Sequence, residues 1–213
     1  VADGYVVRVK VQANGYGNSI YINHPNGYTS VYAHLDRYIP PVQKYVKESQ
    51  YKSHSFEIDL FPPKTMFRVK KGDLIGYTGN SGGSGGPHLH FELRKTKEET
   101  PMNVLLYNFP VYDTRPPEYR ALHVYSMFQN SSVGNSGEYR TTYKVTRINS
   151  SAYEVSKSIK CSTDFIGFSV EAYDYLNGAG NRCGIYKLEL KIDGNTYFLI
   201  TIDDISFALT RNL

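Results

Sequence analysis

The sequence predicts an all-β protein built from antiparallel sheets. Tyrosine is abundant, with 20 residues in 213, and tryptophan is absent. Short runs of alternating apolar and polar residues recur along the chain, as is typical of strands with one buried face. Asn-Gly and Asp-Gly pairs separate several of these runs, and such pairs favour hairpin turns between antiparallel neighbours.

A proline pair divides the chain into two predicted domains. Pro116 and Pro117 follow a short polar segment, and the patterning of the runs differs on its two sides. A chain of 213 residues is long enough for two cores. We therefore predict domains at residues 1–112 and 113–213.

The first domain opens with predicted strands. Residues 5–11 place Val7, Val9 and Val11 on one face, and an Asn-Gly turn leads to a buried strand over residues 19–23. A second Asn-Gly pair predicts a hairpin into the next strand.

A helical insertion follows. Pro40 suits the first helical turn, and Val42, Tyr45 and Val46 form one stripe of a short helix. An alternating strand over residues 55–61 comes next, and two prolines end it.

Two histidines one residue apart give the clearest functional signal. His88, His90 and Glu92 fall on one side of a predicted strand, and the apolar residues between them fall on the other. The two imidazole groups would lie about 6.5–7 Å apart, a spacing that suits one metal ligand beside one acid/base group.

Another strand carries a third histidine. Val31, Ala33 and Leu35 alternate with Ser30, Tyr32 and His34, so His34 is expected to face away from the apolar side, together with Tyr32. Histidines on the polar faces of two half-buried strands are hard to explain by packing, and surface histidines of a β domain are the alternative. His24, at the preceding hairpin, is interpreted as a polar residue at a strand end.

The order of these elements resembles the lysostaphin/LytM-type zinc endopeptidases, which cut bacterial cell-wall peptides. The resemblance covers residues 1 to about 103 and depends on three motifs in a fixed order. The motifs are Tyr32-Ala33-His34-Leu35, the glycine-rich stretch 69–82, and Gly86-Pro87-His88-Leu89-His90-Phe91-Glu92.

The resemblance implies roles for the three histidines. His90, the second histidine of the His-x-His motif, would ligate Zn²⁺, and His88 and His34 would serve catalysis. The implied substrate is a peptidoglycan peptide, and the insertion after residue 39 would form a wall of the substrate groove.

One motif of the family is missing from this sequence. The family takes its other two zinc ligands from an upstream His-x-x-x-Asp motif, and the chain starts at Val1, inside the segment that follows that motif. A catalytic zinc needs three protein ligands, so His90 alone is expected to hold zinc weakly or not at all. Either the chain is a trimmed part of a longer enzyme, which we favour, or its domain has lost the metal site.

Composition agrees with an exported protein. A net charge of +4 and a pI near 8.8 suit an anionic cell-wall surface. The Lys and Arg residues are dispersed, which argues against nucleic-acid binding, and no apolar run is long enough to span a bilayer. We expect a periplasmic, cell-envelope or secreted location, and no pattern predicts the oligomeric state.

The second half is predicted to be a β-sandwich. Its pattern of about seven short strands loosely resembles bacterial immunoglobulin-like modules. The alternating runs cover residues 122–128, 139–148, 166–175, 185–192, 197–202 and 205–209. Because the last run reads as a further strand close to the end of the chain, we expect the domain to be incomplete at its C-terminal end.

Cys161 and Cys183 are the two cysteines of the chain. In an exported protein such a pair favours a disulfide over a metal site, and two free thiols are the alternative.

Three functions remain open. The first is a zinc endopeptidase that acts on peptidoglycan. The second is a metal-free LytM-like module that binds cell-wall peptide or regulates a partner hydrolase. The third is an adhesion or scaffold protein that binds through residues 113–213.

Overall fold

The computed structural model describes residues 2–128, 130–134, 137–155 and 157–209. The chain separates into two compact units, of which the second is Pro110–Ile202 and the first is the rest of the chain. Antiparallel strands are the main regular secondary structure of both units, so the all-β prediction is confirmed. Among the described residues, no helix combines the length and the apolar character that crossing a bilayer needs.

The first unit is built on a seven-stranded antiparallel sheet. Its strands are β1 Gly4–Val11, β2 Asn18–Asn23, β3 Tyr28–Tyr38, β4 Ile58–Leu60, β5 Arg68–Val69, β6 Gly76–Thr78 and β7 His90–Lys95. β2 lies between β1 and β3. β4 and β5 share the other edge of β1, while β6 and β7 share the other edge of β3.

The core of the first unit lies on one face of this sheet, which we call the core face. The predicted helix is confirmed there as α1, Pro40–Ser53, with Pro40 in its first turn. Val42 and Val46, four residues apart, are buried in the same cluster as Ile20 and Leu35. Burial of this stripe, rather than helix propensity, explains why the insertion is helical here.

A β-bulge changes which residues of β1 are buried. The pairing with β2 shifts between Val6 and Arg8, so that Val6 and Val9 are both buried and Val7 is half-exposed. An extra residue in a strand moves the following side chains to the opposite face. The prediction that Val7 shares the buried face with Val9 is therefore wrong.

The second unit combines one three-stranded sheet with two strand pairs. Its strands are β8 Glu118–Ser126, β9 Arg140–Lys144, β10 Thr146–Arg147, β11 Tyr153–Glu154, β12 Ile166–Tyr173, β13 Lys187–Ile192 and β14 Asn195–Thr201. β8 lies between β9 and β12, β10 pairs with β11, and β13 pairs with β14. Strands are present in each predicted run from residue 122 to 202, but the immunoglobulin-like sandwich is not confirmed and stays a prediction.

The predicted disulfide is wrong, because both cysteines are free thiols. Cys161 forms an isolated β-bridge with Val133, and Cys183 forms one with Asp174. The two cysteines thus lie against different backbone partners rather than against each other.

The last predicted strand is also wrong. Residues 207–209 form a turn, and the segment from Asp203 groups with the first unit. There Asp204 forms a β-bridge with Met102 and an ion pair of 2.5 Å with Lys95. The predicted bounds, 1–112 and 113–213, differ from this grouping, and residues 1 and 210–213 of those ranges lie outside the described residues.

Candidate functional site

The three predicted site histidines come together on the face of the first unit's sheet opposite the core face. We call this the histidine face. The ring of His34 lies 4.7 Å from that of His88 and 5.7 Å from that of His90, measured between centroids. Tyr16 joins the group, with its ring 4.8 Å from that of His90.

His34 reaches the histidine face because β3 is bulged. Ala33 and His34 together oppose Ser19 of β2, and His34 has a left-handed backbone with φ of 57°. Tyr32 consequently packs against the core cluster, on the other face. The prediction that His34 shares a face with Tyr32 is wrong, although the expectation that it points away from the core is met.

Backbone carbonyl groups fix two of the rings. Nδ1 of His34 lies 2.8 Å from the carbonyl oxygen of Ser81, and Nδ1 of His88 lies 2.8 Å from that of Gly86. A carbonyl oxygen only accepts, so each Nδ1 carries the proton and donates. Nε2 is then the nitrogen of each ring that can meet a substrate. His34 is buried and His88 is exposed.

His90 is oriented by the charged carboxylate of Glu92. Its Nε2 lies 2.6 Å from Oε1 of this carboxylate, which also accepts hydrogen bonds from Tyr16 and Arg94. Burial opposes the charge of Glu92, but the hydrogen bonds from His90, Arg94 and Tyr16 outweigh it and lower the pKa of Glu92 to about 2. A charged carboxylate only accepts, so Nε2 of His90 donates and Nδ1 stays available.

The residues around Glu92 are themselves held by packing. Arg94 is 6% exposed, and its guanidinium group lies 5.6 Å from the ring centroid of Tyr21 and 4.9 Å from that of Phe207. Burial, followed by the hydrogen bond to Glu92, raises the pKa of Tyr16, so its hydroxyl group stays protonated and donates. The result is a rigid polar layer beneath His90.

The described residues do not form a zinc site by themselves. Nδ1 of His90 is free to be one ligand, and its bond to Glu92 is the kind of carboxylate contact that metal-binding histidines make. Within the described ranges, however, no group of three or more His, Cys, Asp or Glu side chains is placed to hold a metal ion.

Two other predicted features lie elsewhere. The helix α1 packs on the core face, so the prediction that it forms a wall of a groove at the histidines is wrong. His24 directly follows β2, as expected of a polar residue at a strand end, and it is buried: its Nδ1 lies 2.9 Å from the carbonyl oxygen of Asp3, and its Nε2 lies 2.8 Å from Oγ of Ser30. Its role is to fix the entry to β1.

Sequence reasoning missed Tyr16, Ser81 and Arg94. Arg94 continues the alternation of His90 and Glu92, so the strand pattern contained a signal for it. Tyr16 and Ser81 lie in loops, where no periodicity exists to place a side chain.

Residues 1–54 and 60–104 match peptidase family M23 in a comparison with known protein families. The DD-carboxypeptidase/endopeptidase Mpg of Neisseria meningitidis serogroup B is 36% identical over 93 residues, which cover 44% of this chain and 16% of that protein. The peptidoglycan DD-endopeptidase ShyA of Vibrio cholerae is 31% identical over 114 residues, which cover 54% of this chain and 20% of that protein. The chain thus spans a fifth or less of these relatives.

Two solved structures are similar to 51% of the chain. The catalytic domain of EnpA, a prophage-encoded M23 protein from Enterococcus faecalis, is 24% identical, with 66% of that chain covered and a TM-score of 0.35. A zinc-containing peptidase from Vibrio cholerae is 27% identical, with 26% of that chain covered and a TM-score of 0.36. The resemblance predicted from the three motifs is confirmed by this match of residues 1–54 and 60–104 to peptidase family M23.

Proposed function

We propose that the first unit provides the histidines of a zinc-dependent endopeptidase that cuts peptide links of peptidoglycan. The observation that carries the proposal is the convergence of His34, His88 and His90 on one sheet face. One relative is named a peptidoglycan DD-endopeptidase and another a DD-carboxypeptidase/endopeptidase. These names support the substrate class, and with it a periplasmic, cell-envelope or secreted location.

Two of the histidines suit work on a peptide carbonyl group. His88 is exposed at the mouth of the site, with Nε2 left to exchange a proton with the substrate. His34 is buried and held at Nδ1 by Ser81, so a protonated ring would present Nε2–H as a fixed hydrogen-bond donor to the carbonyl oxygen. The glycines of residues 82–86 allow an extended peptide to approach the backbone closely.

Zinc dependence places a requirement on the rest of the site. His90 would be one ligand, and companion ligands would have to join it, because the described residues contain no group of three or more His, Cys, Asp or Glu side chains placed to hold a metal ion. A bound zinc ion supplies Lewis-acid chemistry, which polarises a peptide carbonyl group.

A second candidate function follows from the same observation. Without companion ligands, the unit would act as a metal-free module that binds cell-wall peptide or regulates a partner hydrolase, with the three histidines as polar contacts to the peptide.

Incubation of the protein with purified peptidoglycan separates these functions, with the released peptides identified by mass spectrometry. We expect that the protein cleaves peptide bonds once companion ligands complete the zinc site with His90, and that a zinc chelator abolishes this cleavage. Binding to insoluble peptidoglycan without cleavage would support the second candidate instead. A protein that neither binds nor cleaves peptidoglycan would contradict both candidate functions.

A further inference from the structure

We infer that Tyr16 is a positioning residue of the histidine site. Its hydroxyl group is linked to His90 through Glu92, and its backbone carbonyl group is bonded to His34. The consequence for catalysis rests on the proposed function, but the geometry and its test do not.

The hydroxyl group of Tyr16 completes the set of donors around Glu92. Oε1 of Glu92 accepts from Tyr16 and from Nε2 of His90, and Oε2 accepts from Nε of Arg94 at 2.6 Å. Nη2 of Arg94 in turn donates to the Tyr16 oxygen at 3.3 Å. The four groups form a closed network, so the carboxylate cannot turn away from His90 without losing a donor.

The ring and the backbone of Tyr16 reach both histidines. Its ring lies 4.8 Å from that of His90 and 6.4 Å, edge-on, from that of His34. The carbonyl oxygen of Tyr16 accepts from the backbone N–H of His34 at 2.9 Å, at the bulge where φ is positive. Left-handed backbone is unfavourable for residues other than glycine, so this hydrogen bond helps to hold His34 in place.

The loop that carries Tyr16 is itself locked. Gly17 has a φ of 59°, and a Cβ atom there would lie 2.4 Å from the backbone of Ser81. Oγ of Ser81 accepts from the backbone N–H of Asn18 at 2.9 Å and donates to the carbonyl oxygen of Leu35 at 2.7 Å. Tyr16 is thus fixed against the loop whose Ser81 carbonyl orients His34.

Replacement of Tyr16 by phenylalanine separates the hydroxyl group from the ring. The ring contacts and the backbone bond to His34 would remain, while Glu92 would lose one donor. A less constrained carboxylate should hold the proton of His90 at Nε2 less firmly, so the Nδ1–H tautomer should become populated.

The test reads the His90 tautomer directly. Protein labelled with ¹⁵N at histidine, at mildly alkaline pH and with a chelator present, is measured by long-range ¹H–¹⁵N correlation spectroscopy. We expect the Nε2–H form of His90 to dominate in the unaltered protein and its ratio to the Nδ1–H form to fall in Tyr16→Phe, by at most the roughly tenfold that loss of a whole hydrogen bond to a charged group is worth. Glu92→Gln should change the ratio at least as much.

Tyr38→Phe is the matched control. Tyr38 is buried in the core, and its hydroxyl group donates to the carbonyl oxygen of Lys10 at 2.8 Å. The Tyr38→Phe substitution should leave the ratio of the two His90 tautomers unchanged. The inference is overturned by an unchanged ratio in Tyr16→Phe when Glu92→Gln changes it. It is overturned equally if Tyr16→Phe fails to fold while Tyr38→Phe folds, because the hydroxyl group would then be structural. Failure of the proposed function would appear as absent peptidoglycan cleavage, with the tautomer result unaffected.

Discussion

Both units are built from antiparallel strands, but the strand residues of the first unit are much more deeply buried than those of the second. In the first unit, Val9, Ile20 and Val31 are fully buried, and the core cluster spans the sheet and α1. In the second, all seven residues of β14 are exposed. The buried apolar residues in the described part of that unit are Ala121, Val124, Val133 and Tyr175.

This contrast in burial explains why the candidate site lies in the first unit. A backbone conformation such as that of His34 is unfavourable and persists only where its surroundings fix it. At His34 the close packing of β2, β3 and the Ser81 loop supplies such surroundings, whereas the positive φ of Asp193 in the exposed hairpin of β13 and β14 lies at a tight turn. In the first unit, the deeply buried core and the hydrogen-bond network of the histidine face therefore occur together.

The largest effect should come from opening a cavity in the deeper core. Ile20→Ala should destabilise the first unit by about 2–5 kcal/mol, since it removes buried methyl groups from a closely packed cluster. The matched change Ile200→Ala affects a side chain that is 39% exposed, and should cost about 0.5 kcal/mol or less. Urea denaturation followed by circular dichroism measures both. Equal losses would show that the two units do not differ in core depth.

A smaller effect should come from a surface ion pair. The hydrogen bond from Arg8 lowers the pKa of Asp59 below its ordinary value of 3.8. A carboxylate with a depressed folded pKa stabilises the fold above its ordinary pKa, and this stabilisation is lost as the pH falls through the folded value.

Asp59→Asn should therefore cost about 1 kcal/mol or less at neutral pH, and the difference should disappear in acid. Glu189→Gln, on the exposed hairpin of the second unit, is the control and should change the unfolding free energy less. Urea titrations at neutral and acid pH measure the unfolding free energies of both variants. An Asp59→Asn difference that persists in acid would contradict the assignment to the ion pair.

Much of the site could be predicted from the sequence, because strand periodicity and the three motifs both depend on local order. His90 and Glu92 needed only the alternation of β7, and His88, which forms an isolated β-bridge with Gly79 just before β7, was placed by extending that alternation. The faces of Val7 and Tyr32 could not be obtained in this way, since each depends on a bulge that forms in the pairing of two strands.

Long-range packing explains the remaining errors. Tyr16 is 76 residues from Glu92 in the chain, and no local pattern relates them. The free thiols of Cys161 and Cys183 likewise depend on which backbone each cysteine meets. A cysteine count alone contains no such information.

If the histidine face of the first unit performs the chemistry, then substitution of His88 must slow the reaction. In the form of the protein that digests peptidoglycan, the rate of peptide release is compared for His88→Ala and for the control His123→Ala, which changes a histidine of β8 in the second unit. We predict a loss of about 100- to 10,000-fold for His88→Ala, as for a general acid or base, and no loss for His123→Ala. Full activity of His88→Ala, or an equal loss in both variants, would contradict this assignment.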